Sequence, residues 1–356
     1  MHSALTRATE FASSLGISAP ILLAPMAGAC PVPLSAAVAA GGGMGACGAL
    51  LMSPEQIKDW AGQMRAASNG AFQMNLWIPD PEPKRDSAHE AAWRAFLSRW
   101  GPEVPPDAAD APLHEFAAQY QAMLEAGPAA VSSIMGVYPP DMVAEMKARG
   151  ITWMATVTTV AEARAARDAG ADIIVAQGME AGGHRGAFHA PDAATSLVGL
   201  FSLLPAVVDA VDLPVVATGG IADARGIAAA LLLGASAVQI GTGFLRAPEA
   251  ALNPAWSDAI GRAAPEDTIA TAAFSGRLGR AIRTAYASAP DAPAPAPYPV
   301  QRALTGPMRA AAAKADNIDA MQAWAGQSAR LAAAEPAQHI VTRLWQQSCK
   351  LLETRS

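Results

Sequence analysis

The 356 residues are 52% hydrophobic and 16% charged, with 30 glycines and 28 prolines, a balance that excludes an extended disordered chain. A formal net charge of −6 without any Lys/Arg cluster argues against a nucleic-acid partner. The length holds one large α/β domain with a smaller appendage, or two domains.

Between Phe11 and Pro54 no residue is charged, yet Pro20, Pro25, Pro31, Pro33 and Gly41-Gly42-Gly43 interrupt the run, so no membrane span is expected. Ile21-Leu22-Leu23-Ala24 reads as a strand entering the loop Pro25-Met26-Ala27-Gly28, and Leu34 to Ala40 as a helix. Met44 to Leu50 is a second strand. Ser53-Pro54-Glu55 has the chemistry of a helix start, and Phe72 to Trp77 is a third strand. Pro79 to Pro112, rich in proline and mixed charge with a helical Ser87 to Trp100, reads as an insertion or lid.

The alternation then resumes. Helices are expected over Leu113 to Glu125, Pro140 to Arg149 and Thr159 to Ala169, with strands over Ala130 to Met135 and Ile151 to Val157. Thr159 and Glu162 have the spacing of a capping box. The apolar run Asp172 to Ala176 feeds the polar loop Gln177-Gly178-Met179-Glu180-Ala181-Gly182-Gly183-His184-Arg185-Gly186. Further on come the helix Ser196 to Ala210, the strand Pro214 to Thr218, the helix Asp223 to Leu233 and the strand Ala237 to Ile240. Eight strand candidates alternating with helices predict a (β/α)₈ TIM barrel over residues 1–245. A doubly wound sheet is the alternative, but no GxGxxG follows the first strand.

Residues 246–330 read as a smaller, mainly helical second domain covering the site, with helices at Pro254 to Gly261, Gln301 to Ala315 and Ile318 to Gly326. The run Ala289 to Pro297 is a proline-rich linker. In the last segment, 331–356, a helix from Ala337 to Leu352 carries apolar Ile340, Leu344 and Leu351 and is expected to pack back on the barrel.

Cys30, Cys47 and Cys349 are odd in number and widely spaced, so neither a disulfide framework nor a metal site is suggested, and a reducing cytoplasm is inferred. The glycine turns Gly219-Gly220 and Gly241-Thr242-Gly243 close two consecutive strands, where barrels cradle phosphate with backbone amides, helped here by a helix opening near Asp223. The ligand is read as a phosphorylated cofactor. Ala24, Pro25 and Met26 can flank its ring system, with Asn75 and Gln177 at the heteroatoms of a ring edge. His184 is the histidine in a glycine-rich strand-end loop, a residue suited to acid–base work; His2, His89, His114, His189 and His339 lie elsewhere.

With these residues assembled, the chain resembles the nitronate monooxygenases (formerly 2-nitropropane dioxygenases) of the class with a Glu-Ala-Gly-Gly-His-Arg-Gly loop. The resemblance rests on residues 24–28, 73–76, 176–186, 217–223 and 239–242, on Phe274-Ser275-Gly276-Arg277 and on Trp324-Ala325-Gly326-Gln327. It implies an FMN enzyme whose flavin takes one electron from an alkyl nitronate, such as propionate 3-nitronate, passing through a semiquinone. The substrate radical then reacts with O2 to give a carbonyl compound and nitrite. It also implies that His184 is the catalytic residue and that Asn75, Gln177, Gly182, Gly220, Gln239, Gly241 and Thr242 hold FMN, next to Gly183 and Gly219. A homodimer is one assembly open to it. The chain departs from relatives at Ser132-Ser133-Ile134-Met135-Gly136, where an aromatic run is common, and at Thr284, where asparagine is common. An NAD(P)H-dependent FMN reductase, of the enoyl-ACP or quinone reductase type, is the competing enzyme. A flavin or phospho-ligand binder without turnover is the competing non-enzyme.

Overall fold

The computed structural model describes residues 4–110 and 113–353. His2, the Pro112 end of the expected insertion and the end of the last segment lie outside the described residues. Strands β1 (Ile21–Leu23), β2 (Gly45–Gly48), β3 (Phe72–Trp77), β4 (Ala130–Ile134), β5 (Thr152–Val157) and β6 (Ile173–Gln177) follow one another. The short β7 (Gly183–His184) pairs elsewhere, and β8 (Val215–Thr218) and β9 (Ala237–Ile240) complete the set. Leaving out β7, the other eight pair in parallel in the order β1-β9-β8-β6-β5-β4-β3-β2, and a bridge between Leu22 and Met44 closes the ring. This is the expected (β/α)₈ barrel.

A strand buried on both faces reads as a continuous apolar run, which is why these segments were legible. Alternation then sorts the two faces. Ile21, Leu23, Ile174, Ala176, Ala217 and Ile240 pack outward against the helices, whereas Leu22, Met44, Met154, Val175 and Val216 fill the interior. Phe11, on a helix not anticipated from the sequence, α1 (Ala4–Ser14), joins that interior cluster together with Ile17.

The helices between the strands are α2 (Val32–Ala40), α3 (Pro54–Ala67), α4 (Ser87–Leu97), α5 (Phe116–Ala126), α6 (Pro140–Ala148), α7 (Val160–Asp168), α8 (Leu200–Val208) and α9 (Ala224–Leu232). Ser53 starts α3 with a full capping box closed by Gln56. At α7 the box is only half formed. Thr159 accepts the Glu162 amide, but the Glu162 carboxylate takes the amides of Thr158 and Phe188 and so ties α7 to the chain beyond His184. α8 begins four residues later than expected because both Glu180 oxygens accept the amide of Leu200. The second strand also stops early, at Gly48, where a 3₁₀ turn over Ala49–Leu51 takes over.

Beyond the barrel lie α10 (Pro254–Arg262), α11 (Val300–Leu304), α12 (Gly306–Lys314) and α13 (Ala337–Glu353), with two strands that the sequence pattern did not reveal. These are β10 (Thr268–Thr271) and β11 (Gly279–Ile282), which form an antiparallel sheet with β7. The helix expected over 301–315 is divided at Thr305, two residues before Pro307, which supplies no amide and sits in the first turn of α12. The helix expected over 318–326 shrinks to a 3₁₀ turn, Ile318–Ala320, because the chain beyond it runs extended beside β11. There the Ile282 amide bonds Ala323 and the Ala325 amide bonds Arg280. Helix α13 buries Ile340, Val341 and Leu344 against the barrel cluster, but Leu351 faces out.

The stretch read as an insertion is not free of this region. Trp93, Phe96 and Leu97 of α4 form one apolar cluster with Phe274, Tyr286, Leu304 and Met308. The fully buried Arg277 joins the two segments electrostatically. Its guanidinium forks onto both oxygens of Asp80 and donates to the Ala187 carbonyl at 2.8 Å. Removing one partner of a buried pair leaves the other charge uncompensated, at a cost of about 3 kcal/mol. Asp80→Asn is therefore expected to lower the urea midpoint by an amount corresponding to that figure. An unchanged midpoint would show that the pair contributes nothing to holding the segment.

Candidate functional site

Alternation decides the chemistry at the carboxyl ends of the strands. The inward positions that are apolar deeper in the ring become Asn75, Thr156, Gln177, Thr218 and Gln239 at this end, all lining one cavity of about 230 Å³. Every residue expected from the sequence to be catalytic or to touch the cofactor lines the same cavity: Ala24, Pro25 and Met26 after β1, then Asn75, Gln177, Gly182, Gly183, His184, Gly219, Gly220, Gln239, Gly241 and Thr242. The turn after β1 is held by Cys30, whose thiol donates to the Ala24 carbonyl and accepts the Met26 amide, each at 3.2 Å. Burial pushes that thiol up to about 12 and pushes the buried Cys47 thiol up as well, so neither offers a thiolate.

The amide side chains differ in what they leave available. Asn75 Nδ2 donates to the Ser132 hydroxyl at 3.0 Å and carbonyl at 3.2 Å. Gln73 Nε2 donates to Gln239 Oε1 at 3.1 Å, which fixes the Gln239 amide with its nitrogen at the other end. Gln177 lines the cavity, but its amide is committed to the loop. Its Nε2 donates to the His184 carbonyl at 3.0 Å and its Oε1 accepts the Gly186 amide at 2.8 Å.

The glycine turns have the form of an anion cradle. Gly219 and Gly220 sit at φ +112° and +68°, and a Cβ at either would come within 3.1 Å of Gly178 O or Glu180 Cβ. Among the described residues no carbonyl of the chain accepts either amide, and buried amides are nearly always paired. A Cβ at Gly182 would lie 2.5 Å from the Gly326 amide nitrogen, itself bonded to Thr242 Oγ1. Ser328 secures the cradle from outside by donating to the Gly220 carbonyl at 2.6 Å. The helix start near Asp223 stands beside the cavity, which Ile221 and Ala222 line. Asp223 caps α9 itself, accepts the Gly226 amide, and does not line the cavity.

Of the ionisable residues in the loop after β6, only His184 lines the cavity. Arg185 is buried behind it, donating to the carbonyls of Gln177, Thr158 and Ser196. The imidazole sits edge-on between Trp77 and Trp324, with ring centroids 4.7 Å and 4.9 Å away. Its Nε2 lies 2.7 Å from Ser275 Oγ. Ser275 Oγ also lies 3.2 Å from the Arg277 carbonyl; when its hydroxyl donates there, Oγ accepts Nε2–H and the Nδ1 lone pair remains. Burial first, and then the charges of Arg277, Arg302 and Arg309, push this histidine down to about 3. It is neutral at physiological pH.

Several cavity residues went unrecognised in the sequence: Trp77, Thr156, Trp256, Arg302, Arg309 and Gln322. Trp77 was readable, since it follows Asn75 by two positions and shares its face. Arg302, Thr305 and Arg309 also stand at the i, i+3, i+7 spacing of one helix face, a signal overlooked because it belongs to no motif.

The nitronate monooxygenase family model matches residues 10–347. A nitronate monooxygenase of Paraburkholderia phytofirmans is 38% identical over 93% of this chain and 92% of its own length. A probable nitronate monooxygenase of Staphylococcus aureus is 34% identical over 95% and 97%. Among solved structures, nitroalkane oxidase from Streptomyces ansochromogenes superposes with a TM-score of 0.88 at 33% identity, covering 97% of this chain and 100% of that one. FabK from Thermotoga maritima gives 0.75 at 26% identity, covering 100% and 98%. With its family signature spanning barrel, cradle and histidine loop alike, the chain belongs to the nitronate monooxygenase family of flavin-dependent oxidoreductases.

Proposed function

We propose that the protein oxidises alkyl nitronates with O2 to a carbonyl compound and nitrite, using FMN. The observation that carries this reading is a neutral histidine, fixed by a serine, facing a cavity whose far wall is a cradle of unpaired glycine amides. Gly219, Gly220 and Thr242 would hold the phosphate, while Met26, Asn75 and Gln239 would meet the isoalloxazine ring. When bound, FMN supplies the electron acceptor for the nitronate.

The chain's own residues do the rest. Trp77, Trp324 and Ile134 surround the substrate space and exclude water from it. His184 presents Nδ1 to the substrate, and Ser275 fixes the tautomer that leaves this atom free. A neutral imidazole accepts the α-proton of a nitroalkane, and the imidazolium so formed pairs with the nitronate anion. Arg302 and Arg309 add positive potential to the same wall.

The deciding experiment is an anaerobic absorbance titration of the flavin-loaded protein. A change in the flavin bands on adding propionate 3-nitronate, with none on adding NADH, is the expected result. Bleaching by NADH alone would move the enzyme to the reductase reading. That reading has the FabK likeness behind it.

His184→Asn is expected to retain FMN while losing at least about 100-fold in kcat for neutral nitroalkanes, the scale of a lost general base. Loss of flavin instead would make the histidine structural. The pH profile carries its own sign. Because the free-enzyme imidazole ionises only near about 3, kcat/KM for a neutral nitroalkane is expected to show no acid limb around 6.5. An acid limb there would mean that His184 keeps an ordinary proton affinity.

A further inference from the structure

Ser275, Arg277 and Asp80 bear on His184 without lining the cavity. Ser275 Oγ, 2.7 Å from the imidazole Nε2, is enclosed by the main chain of Arg277, whose amide nitrogen lies 3.3 Å and whose carbonyl oxygen 3.2 Å from it. A hydroxyl has one proton and two lone pairs. With the proton on the Arg277 carbonyl and one lone pair taken by the Arg277 amide, a single lone pair is left for Nε2–H. The Arg277 guanidinium reaches past the histidine and donates at 2.8 Å to the carbonyl of Ala187, farther along the same loop. Between these points β11 pairs with Gly183 and His184, and the Arg185 amide donates to the Leu278 carbonyl at 2.8 Å. One arginine thus spans the short strand that carries the imidazole.

What orients Arg277 is Asp80. Its carboxylate accepts from Nε at 2.8 Å and from a terminal nitrogen as well, a fork onto a guanidinium whose side chain is 2% exposed. Asp80 is itself held. Pro79 and Pro81 flank it and narrow its backbone, and the Ile78 amide donates to the Ile134 carbonyl at 3.1 Å. The same strand end sets Trp77 edge-on to the imidazole, with ring centroids 4.7 Å apart. The exit of β3 therefore touches His184 directly through Trp77 and indirectly through Asp80. We infer that Asp80 is a positioning residue: acting through Arg277, it keeps Ser275 as the acceptor for Nε2–H and so keeps the Nδ1 lone pair free for the substrate. Asp80 also neutralises Arg277. Burial is the main reason that His184 is a weak base and the Arg277 charge comes next, so a bare Arg277 weakens the imidazole further. Because Arg277 approaches by way of Ser275 and lines no part of the cavity, its charge costs the imidazole more basicity than it lends a substrate acidity. This inference rests on the reading of His184 as the base that ionises neutral nitroalkanes.

The test compares flavin-loaded Asp80→Asn and Asp80→Glu with the unaltered enzyme. Nitroethane and ethyl nitronate serve as substrates, the same molecule before and after its proton is lost. In Asp80→Asn the ratio of kcat/KM for nitroethane to that for the nitronate is expected to fall at least about tenfold, the scale of a base displaced rather than removed. Asp80→Glu, which keeps the charge, is expected to recover part of that loss. In parallel, nitrogen NMR spectra of isotope-labelled histidine distinguish a protonated ring nitrogen from a bare one. They are expected to place the His184 proton on Nε2 in the unaltered enzyme and to show mixed tautomers in Asp80→Asn. A ratio that stays constant, whether or not both rates decline, marks Asp80 as merely structural and overturns the assignment. So does a His184 proton found on Nδ1 in the unaltered enzyme, a result that does not depend on Asp80→Asn folding. If the unaltered enzyme turns over neither substrate while the tautomer still depends on Asp80, the positioning role stands and the nitronate reading falls.

Discussion

A closed ring of parallel strands has no solvent face, and everything at this site follows from that constraint. Each inward side chain must either pack on others or find polar partners within the ring. Leu22, Met154, Val175 and Val216 meet the first condition deep in the barrel. Near the mouth the same alternation brings Asn75, Thr156, Gln177, Thr218 and Gln239 inward, where an apolar residue would have closed the cavity. Gln73 lies one step below this layer and pays for its depth with a buried Oε1 that finds no partner. The site is therefore the upper part of the barrel core, made polar rather than grafted on.

The loop after β6 shows how much polarity goes into holding a single group. Gln177, at the start of the loop, bonds its far end at His184 and Gly186, Arg185 gathers three carbonyls, and Glu180 turns toward the amide of Leu200. These commitments leave His184 facing the cavity. The strand it forms with Gly183 is completed from outside the barrel by β11, and Ser275, which bonds its Nε2, lies on the turn between β10 and β11. The outer region is thus part of the histidine's geometry, and through Arg277 and Asp80 so is the segment before α4.

Legibility in the sequence followed the range of the interactions. The eight barrel strands were legible because burial on both faces writes a local apolar run, and Gly219 and Gly220 because positive φ restricts residue type at a point. The pairing of β7 with β11 was not, since two residues of strand around His184 carry no periodicity and their partner lies almost a hundred positions away. Residues 318–326 were misread for a related reason. A sequence with helical propensity runs extended here because the β11 backbone offers it hydrogen bonds, and tertiary pairing overrides a weak local preference. Arg302 and Arg309 had a helical spacing but no motif, and their significance depends on the absence of nearby carboxylates, which only the fold establishes.

The electrostatics of the site also bear on which protonation state of a substrate it favours. The charges that depress His184 stabilise any anion formed next to it, so basicity lost by the imidazole is matched by acidity gained by a bound nitroalkane. The match is incomplete, because burial, the largest cause of the depression, weakens the base without helping the substrate ionise. A nitronate that arrives already ionised escapes this penalty and takes up the full attraction of the cationic wall. If the site takes nitronates as proposed, the arrangement favours them over their conjugate nitroalkanes, and His184 would then extend the range of substrates rather than set the rate for the preferred one.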